Sequence, residues 1–280
     1  MDFKKFSELI MIEQTLFALP FAFIGVLFAG GNTLSTWFWV AIALIAARTA
    51  GMSFNRVIDA SIDAKNPRTK NRLVPRGEVD AAMVWLIAII SSLVLIFSAL
   101  MLNRLCFYLS FAAVALLFTY SYFKRFSASS HFYLGAVEAA APIGGYLAVT
   151  GEFTVVPLIL GMVILLWIAG LDIIYAIQDR EFDIREKLHS IPARMGEKQA
   201  ITISLACYVL AMIALTTAGI LTHKTLPYWL AVICIGGIFA YQQKIVRGGI
   251  VSGTIKKFFQ VNLYVSPILF IGTFMDLLLK

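Results

Sequence analysis

The chain has 280 residues, 60% of them hydrophobic and only 14% charged, with a mean hydropathy of +0.85. Apolar runs of about 20 residues, each long enough to span a bilayer, recur from end to end, which excludes a soluble domain carrying a single anchor. The formal net charge of +7 is accounted for by basic loops that set topology and face anionic lipid, so it does not call for a nucleic-acid partner.

In chain order, MDFKKFSELI predicts a short amphipathic entry on the cytoplasmic side. The run it leads into is too long, and too closely followed by others, for a cleaved signal peptide. An all-α polytopic membrane fold with nine spans is predicted, at roughly 8–30, 36–64, 80–102, 104–122, 131–150, 154–178, 199–221, 227–246 and 255–278. The fifth is the least regular, with Glu138, Pro142 and the pair Gly144-Gly145. No connection exceeds roughly 20 residues, too few to fold alone, so residues 1–280 read as one integral-membrane domain. With alternating spans, 18 of the 23 basic residues fall on one side. That side, with the N-terminus, is therefore expected to be cytoplasmic, and the C-terminus external. Cys106, Cys207 and Cys234 are widely spaced in apolar runs and form no disulfide or metal pattern. His131, His189 and His223 likewise lack ligand spacing.

Two polar clusters interrupt the apolar pattern. NRVIDASID closes the second span and places Asn55, Asp59 and Asp63 at i, i+4 and i+8. Each step drifts by about 40°, so all three share one helix face over about 12 Å. Alone, this could be a frayed, solvated helix end. A second stretch, GLDIIYAIQDREFD, sets Asp172, Tyr175, Asp179 and Asp183 within about 80° of arc at the end of the sixth span. Asp179 and Asp183 repeat the spacing of Asp59 and Asp63 at a displacement of 120 residues. This suggests two related repeats of four spans, with YSYFKR and YQQKIVR as a weaker echo. Carboxylate pairs facing each other need a cation between them. Oxygen donors without His or Cys suit Mg²⁺, which shares its shell with substrate phosphates. Lys65, Arg68, Lys70, Arg72, Lys124, Arg125, Arg180 and Arg194 surround the clusters, and such a set makes a diphosphate site. A diphosphate site opening into a bilayer points to a substrate with a lipid tail. Metal ions would stabilise the leaving diphosphate as an allylic carbon–oxygen bond breaks.

N-x-x-x-D-x-x-x-D at the end of the second span, and D-x-x-Y-x-x-x-D-x-x-x-D at the end of the sixth, resemble the UbiA superfamily of intramembrane prenyltransferases. The resemblance covers essentially the whole chain, including DAKNPRTKNRLVPRGEV, YSYFKRF and DREFDIREKLHSIPARMG. It implies nine helices around a central cavity, two Mg²⁺ ions and an isoprenyl diphosphate. It gives Asn55, Asp59, Asp63, Asp179 and Asp183 the catalytic role, with the four aspartates as metal ligands and Asp172 and Tyr175 as the upstream part of the second motif. Lys124 falls where the family has a basic residue near the diphosphate; the alternative is a snorkelling, topology-setting lysine. Arg125 reads as topological. Arg68, Lys70 and Arg72 lie in the loop resembling the family's substrate cap. Arg48, on the face of Asn55, is a candidate for the carboxylate of an aromatic acid, or for pairing with Glu13 or Glu138. The 22 Phe and 10 Tyr either line a prenyl tunnel or pack and face lipid.

One position departs from the family's common N-D-x-x-D: Arg56 follows Asn55. The chain resembles the 4-hydroxybenzoate polyprenyltransferase-like branch, part of which serves the futalosine route to menaquinone. The expected activity is transfer of a polyprenyl group from its diphosphate to the ring of a hydroxyaromatic acid, in the cytoplasmic (inner) membrane of a bacterium, for ubiquinone or menaquinone synthesis. 1,4-Dihydroxy-6-naphthoate is the alternative acceptor. A secondary transporter with carboxylate ion ligands is the alternative of another class, disfavoured because repeats of four spans share one orientation. Prenyl chain length, the base that takes the ring proton, and oligomeric state stay open.

Overall fold

The computed structural model describes residues 2–31, 33–249 and 253–279; the side chains of residues 13–17, Glu13 among them, lie outside that description. The described chain is helical, with no strand. The expected amphipathic entry forms α1 (Phe3–Ile10), capped by Asp2, whose carboxylate accepts the Lys5 N–H at 2.8 Å. Met11 then takes a left-handed conformation (φ 51°), so the first predicted span is broken there and α2 (Ile12–Phe28) starts afresh. The second predicted span likewise divides, into α3 (Leu34–Ile58) and a single turn, α4 (Ala60–Asp63). Then come α5 (Ala81–Leu102), α6 (Arg104–Phe123), α7 (Ser130–Thr150) and α8 (Val155–Ala176). A 3-10 turn (Ile177–Asp179), α9 (Arg180–Arg185) and α10 (Ile191–Met195) follow. The chain closes with α11 (Glu197–Leu221), α12 (Leu226–Arg247), α13 (Thr254–Asn262) and α14 (Val265–Leu278), the last two dividing the ninth predicted span. Among the described residues, eight segments are long and apolar enough to cross a bilayer, and the apolar Ala18–Phe28 stretch of α2 is a shorter ninth.

The helices close into a ring. α3 packs on α5, α5 on α6, α6 on α7, α7 on α8, α8 on α11, α11 on α12, α12 on α14, α14 on α2, and α2 on α3. α2 also lies against α7, and here the irregular composition of the fifth predicted span finds its reason. A Cβ on Gly145 would sit 2.0 Å from the Ala22 carbonyl oxygen, and one on Gly25 2.1 Å from that of Pro142. The two backbones touch, which only glycine allows, and close approach replaces the hydrophobic drive that lipid removes. Outward, α5 shows Leu86, Ile89, Leu93, Phe97 and Leu100, the apolar face a bilayer requires. Inward, Trp167 on α8 is buried and donates to Asn262 Oδ1 at 2.9 Å, while Gln242 donates to the Phe258 carbonyl at 3.0 Å.

Polar side chains gather at one end of the ring, where α3, α6 and α8 finish and α7 begins. The 64–80 connection is folded down there. Its Leu73 and Val79 are buried with Leu9 and Ile10 of α1 and Val84 of α5. Arg56, the residue that departs from the common motif, is buried and turned outward to this seam. Its Nε donates to the Leu9 carbonyl at 3.2 Å, satisfying one of the acceptors left free at the end of α1.

Candidate active site

Both acidic motifs sit where a long helix ends, and both end it the same way. Asp59 has φ −92°, ψ 3° and Asp179 has φ −97°, ψ 2°. Each residue interrupts its helix in the bridge region of backbone space, and each is followed by a short helix carrying the second aspartate. The 120-residue displacement in sequence is therefore matched by local geometry. Around Asp59 the i→i−4 ladder persists, with Asp59 N–H to Asn55 O at 3.0 Å and Asp63 N–H to Asp59 O at 2.8 Å. The expected shared face survives the break for that reason. Asn55 Nδ2 donates to Asp59 Oδ2 at 2.8 Å and to Ser121 Oγ on α6 at 3.3 Å.

The connection after the first motif reaches across to the second. Asn66 Oδ1 accepts the Arg68 N–H at 2.9 Å, an Asx turn that aims the arginine. Arg68 then grips Asp179 with Nε at 2.9 Å and Nη2 at 2.6 Å, while Asn66 Nδ2 adds a third bond at 3.0 Å. Arg68 Nη1 donates to Tyr175 OH at 2.8 Å, and the guanidinium lies 5.0 Å from the Tyr175 ring centre. From the same connection Arg72 Nη1 meets Asp63 Oδ2 at 2.6 Å, and Lys65 Nζ meets Glu186 at 3.0 Å. One loop thus ties the two motifs together. Lys70, expected to share in this, is exposed and joins none of these pairs.

The other two aspartates are held from the α6–α7 corner. Lys124 Nζ lies 2.8 Å from Asp183 Oδ1, and Ser190 donates to Asp183 Oδ2 at 2.8 Å. Arg125 Nη2 donates to the Ile58 carbonyl at 2.7 Å and approaches Asp59 Oδ1 at 3.3 Å. Beside its topological reading Arg125 thus has a contact with the first motif: the end of α6 turns Lys124 and Arg125 to different motifs, a split that adjacent basic residues do not reveal in sequence. Asn66, Ser190 and Ser121 were also missed, being common polar residues without a spacing signal. Burial pushes the Asp59 carboxyl up to about 6, against the pull of its Arg125 hydrogen bond. Burial also disfavours the Arg68 charge, but the Asp179 carboxylate more than reverses this and holds its pKa above the ordinary arginine value.

Deeper in the ring Arg48 is paired with Glu138 on α7, the second of its two expected partners. Its Nε is buried without a hydrogen-bond partner, a donor that a ligand could take up. Tyr120 lies in the field of Asp172, Asp59, Glu138 and Arg48. Asp172 is bound by His131, Nδ1 to Oδ2 at 2.7 Å. His131 carries no motif and was passed over in sequence for that reason.

Among the described residues no three Asp, Glu, His or Cys side chains converge into a metal cage. Instead four carboxylates face four cations: Asp59 with Arg125, Asp63 with Arg72, Asp179 with Arg68, and Asp183 with Lys124. The donors are all oxygen, which suits a hard divalent ion and not a soft one. The cations are the movable half, 27–37% exposed against 0–19% for the carboxylates. The carboxylate oxygens fit a divalent ion, which they would hold if the more exposed basic side chains gave way.

Residues 18–264 match the UbiA prenyltransferase family. A 4-hydroxybenzoate octaprenyltransferase of Citrobacter koseri is 29% identical over 98% of this chain and 92% of its own, and one of Pectobacterium atrosepticum 28% over 98% and 93%. The structure of a UbiA homolog from Aeropyrum pernix K1 superposes with a TM-score of 0.88 at 31% identity, covering 95% of this chain and 98% of that one. A UbiA homolog from Archaeoglobus fulgidus bound to DMAPP and Mg²⁺ shares the fold, with a TM-score of 0.75 at 16% identity over 99% and 100%.

Proposed function

The chain belongs to the UbiA prenyltransferase family, and on that premise we propose that it joins a polyprenyl group to the ring of 4-hydroxybenzoate or a close relative. The activity is that of a membrane-embedded aromatic polyprenyltransferase of quinone synthesis, in keeping with the names of its near-full-length relatives. The observation that carries the site assignment is the clamp of Arg68 and Arg72, from one loop, on Asp179 and Asp63 of the two motifs.

That clamp gives the residues their roles. Mg²⁺, when bound, would supply the positive charge that draws the diphosphate away from an allylic carbon. Asp59, Asp63, Asp179 and Asp183 would hold it, with Asn55 orienting Asp59. Arg68, Arg72, Lys124 and Arg125, released from those carboxylates, then face the diphosphate oxygens as charge-assisted donors. Tyr175 keeps Arg68 in plane. The pocket stays close to neutral before and after, because the cations that balanced the aspartates now balance the diphosphate. Arg48 Nε is the donor for the acceptor's carboxylate, with Nη1 kept by Glu138, and Asp172 faces the acceptor from α8. The prenyl tail lies among the apolar side chains of the ring, away from water that would quench a cation. The excess of Lys and Arg at this end supports an orientation in the bacterial cytoplasmic membrane with the N-terminus and site loops cytoplasmic.

A product assay tests the reading. Purified protein in lipid, given Mg²⁺, a polyprenyl diphosphate and 4-hydroxybenzoate, should yield the prenylated acid by mass spectrometry and none with EDTA. Product from 1,4-dihydroxy-6-naphthoate alone would overturn the choice of acceptor. Full turnover in Asp179→Ala would overturn the site.

A further inference from the structure

His131 stands between the two halves of the site and makes a directed contact with each. It opens α7 and is 2% exposed. Its Nε2 accepts the Ile191 N–H at 3.2 Å, and its Nδ1 lies 2.7 Å from Asp172 Oδ2. A ring nitrogen that accepts a backbone N–H carries no proton, so the proton is on Nδ1 and is donated to Asp172. The Asp172 side chain is 25% exposed, so one oxygen is pinned by a buried ring while the carboxylate still opens to the interior. On the other side, Ile191 follows Ser190, and both Ser190 and Asp183, joined at 2.8 Å, are fully buried. The preceding His189 N–H is bound by the Lys124 carbonyl at 2.8 Å, so Lys124, Ser190 and Ile191 form one short brace around Asp183.

We propose that His131 is a positioning residue coupling the acceptor half of the site to the diphosphate half. Nδ1 sets the Asp172 carboxylate toward the hydroxyaromatic acceptor. Nε2 sets the 190–191 backbone, and through Ser190 the direction of Asp183. The inference rests on the reading that Asp172 meets the acceptor. A histidine with only a packing role needs neither bond, and an apolar residue of similar volume would avoid burying two polar nitrogens. Both nitrogens are instead satisfied, Nδ1 by the Asp172 carboxylate and Nε2 by the backbone that braces Asp183.

Two substitutions separate the bonds. Asn at 131 places its amide donor where Nδ1 stands and lacks an acceptor at the Nε2 position; Gln reaches the Nε2 position and leaves Asp172 without its donor. In His131→Gln the KM for 4-hydroxybenzoate should rise about tenfold, with the half-saturating Mg²⁺ concentration within about threefold of the parent. In His131→Asn the pattern reverses: Mg²⁺ half-saturation rises about fivefold or more and the acceptor KM holds. If both variants move both parameters together, or lower only the melting temperature, His131 is a packing residue and the inference falls. Asp172→Asn distinguishes the premise: an unchanged acceptor KM there refutes the role of Asp172, whereas a raised one beside an unaffected His131→Gln refutes the role of His131. Should a His131 variant fail to fold, Ser190→Ala carries the diphosphate half. Raised Mg²⁺ half-saturation with an unchanged acceptor KM is expected, and no change in either would overturn the brace.

Discussion

Removing Arg68 should weaken diphosphate binding and strengthen divalent-ion binding at once. Arg68 makes two hydrogen bonds to Asp179, at 2.9 and 2.6 Å, and one to Tyr175 at 2.8 Å. Charge-assisted bonds of this kind net about 1.5–3 kcal/mol, and because Arg68 is 31% exposed, solvent screening brings the pair to the lower end, about 2 kcal/mol. A metal ion that takes Asp179 must break this pair. Arg68→Ala removes the competitor, so Mn²⁺, read by electron paramagnetic resonance as a stand-in for Mg²⁺, should bind up to about thirtyfold tighter without substrate. The same substitution deprives the diphosphate of a bidentate donor and should raise the polyprenyl diphosphate KM about tenfold or more. The opposite signs are the test. If Mn²⁺ affinity falls along with diphosphate affinity, Arg68 supports the carboxylate and does not compete for it, and the exchange reasoning is wrong.

Other outcomes follow from the same geometry. Asp59→Ala and Asp179→Ala should each lose turnover by about 10³-fold or more while eluting as folded protein, and full activity in either would sink the assignment. The Asp59 carboxyl, held at about 6, is charged above that pH and neutral below it. Mn²⁺ affinity should therefore decline as pH falls from about 7 to about 5.5, a step that Asp59→Asn should lack; equal pH slopes in the two proteins would refute it. Gly145→Val forces a side chain into the Ala22 carbonyl, and thermal unfolding should show a loss of about 3 kcal/mol or more, against almost none for Gly144→Ala, whose Cβ meets open space. Arg125→Ala should raise the diphosphate KM several-fold without reorienting the protein in a cysteine-accessibility assay; an altered orientation would favour the topological reading.

Much of the architecture was legible in the residues because the bilayer leaves few choices. Long apolar runs in lipid must be helices, since no water is there to satisfy the backbone, and the excess of Lys and Arg at one end orders them. The duplicated four-residue aspartate spacing marked both acidic motifs, and Asp59 and Asp179 share one backbone conformation. Periodicity could not show where helices break. Met11, Asp59, the 177–179 turn and the 263–264 junction interrupt runs that read as continuous, since apolar composition stays uniform through a change of φ and ψ. Pairing was beyond the sequence altogether. Arg125 and Lys70 are both basic residues near a motif, yet one reaches Asp59 and the other is left exposed. Arg48 had two acidic partners open to it, and the packing of α3 beside α7 set it against Glu138. His131 meets Asp172 only because α7 and α8 pack side by side. Charge type and helical period are local and are written in the chain. Which carboxylate meets which cation depends on how the ring closes, and contacts 60 to 113 residues apart, such as Ile191 to His131 or Asn66 to Asp179, exist only once it has.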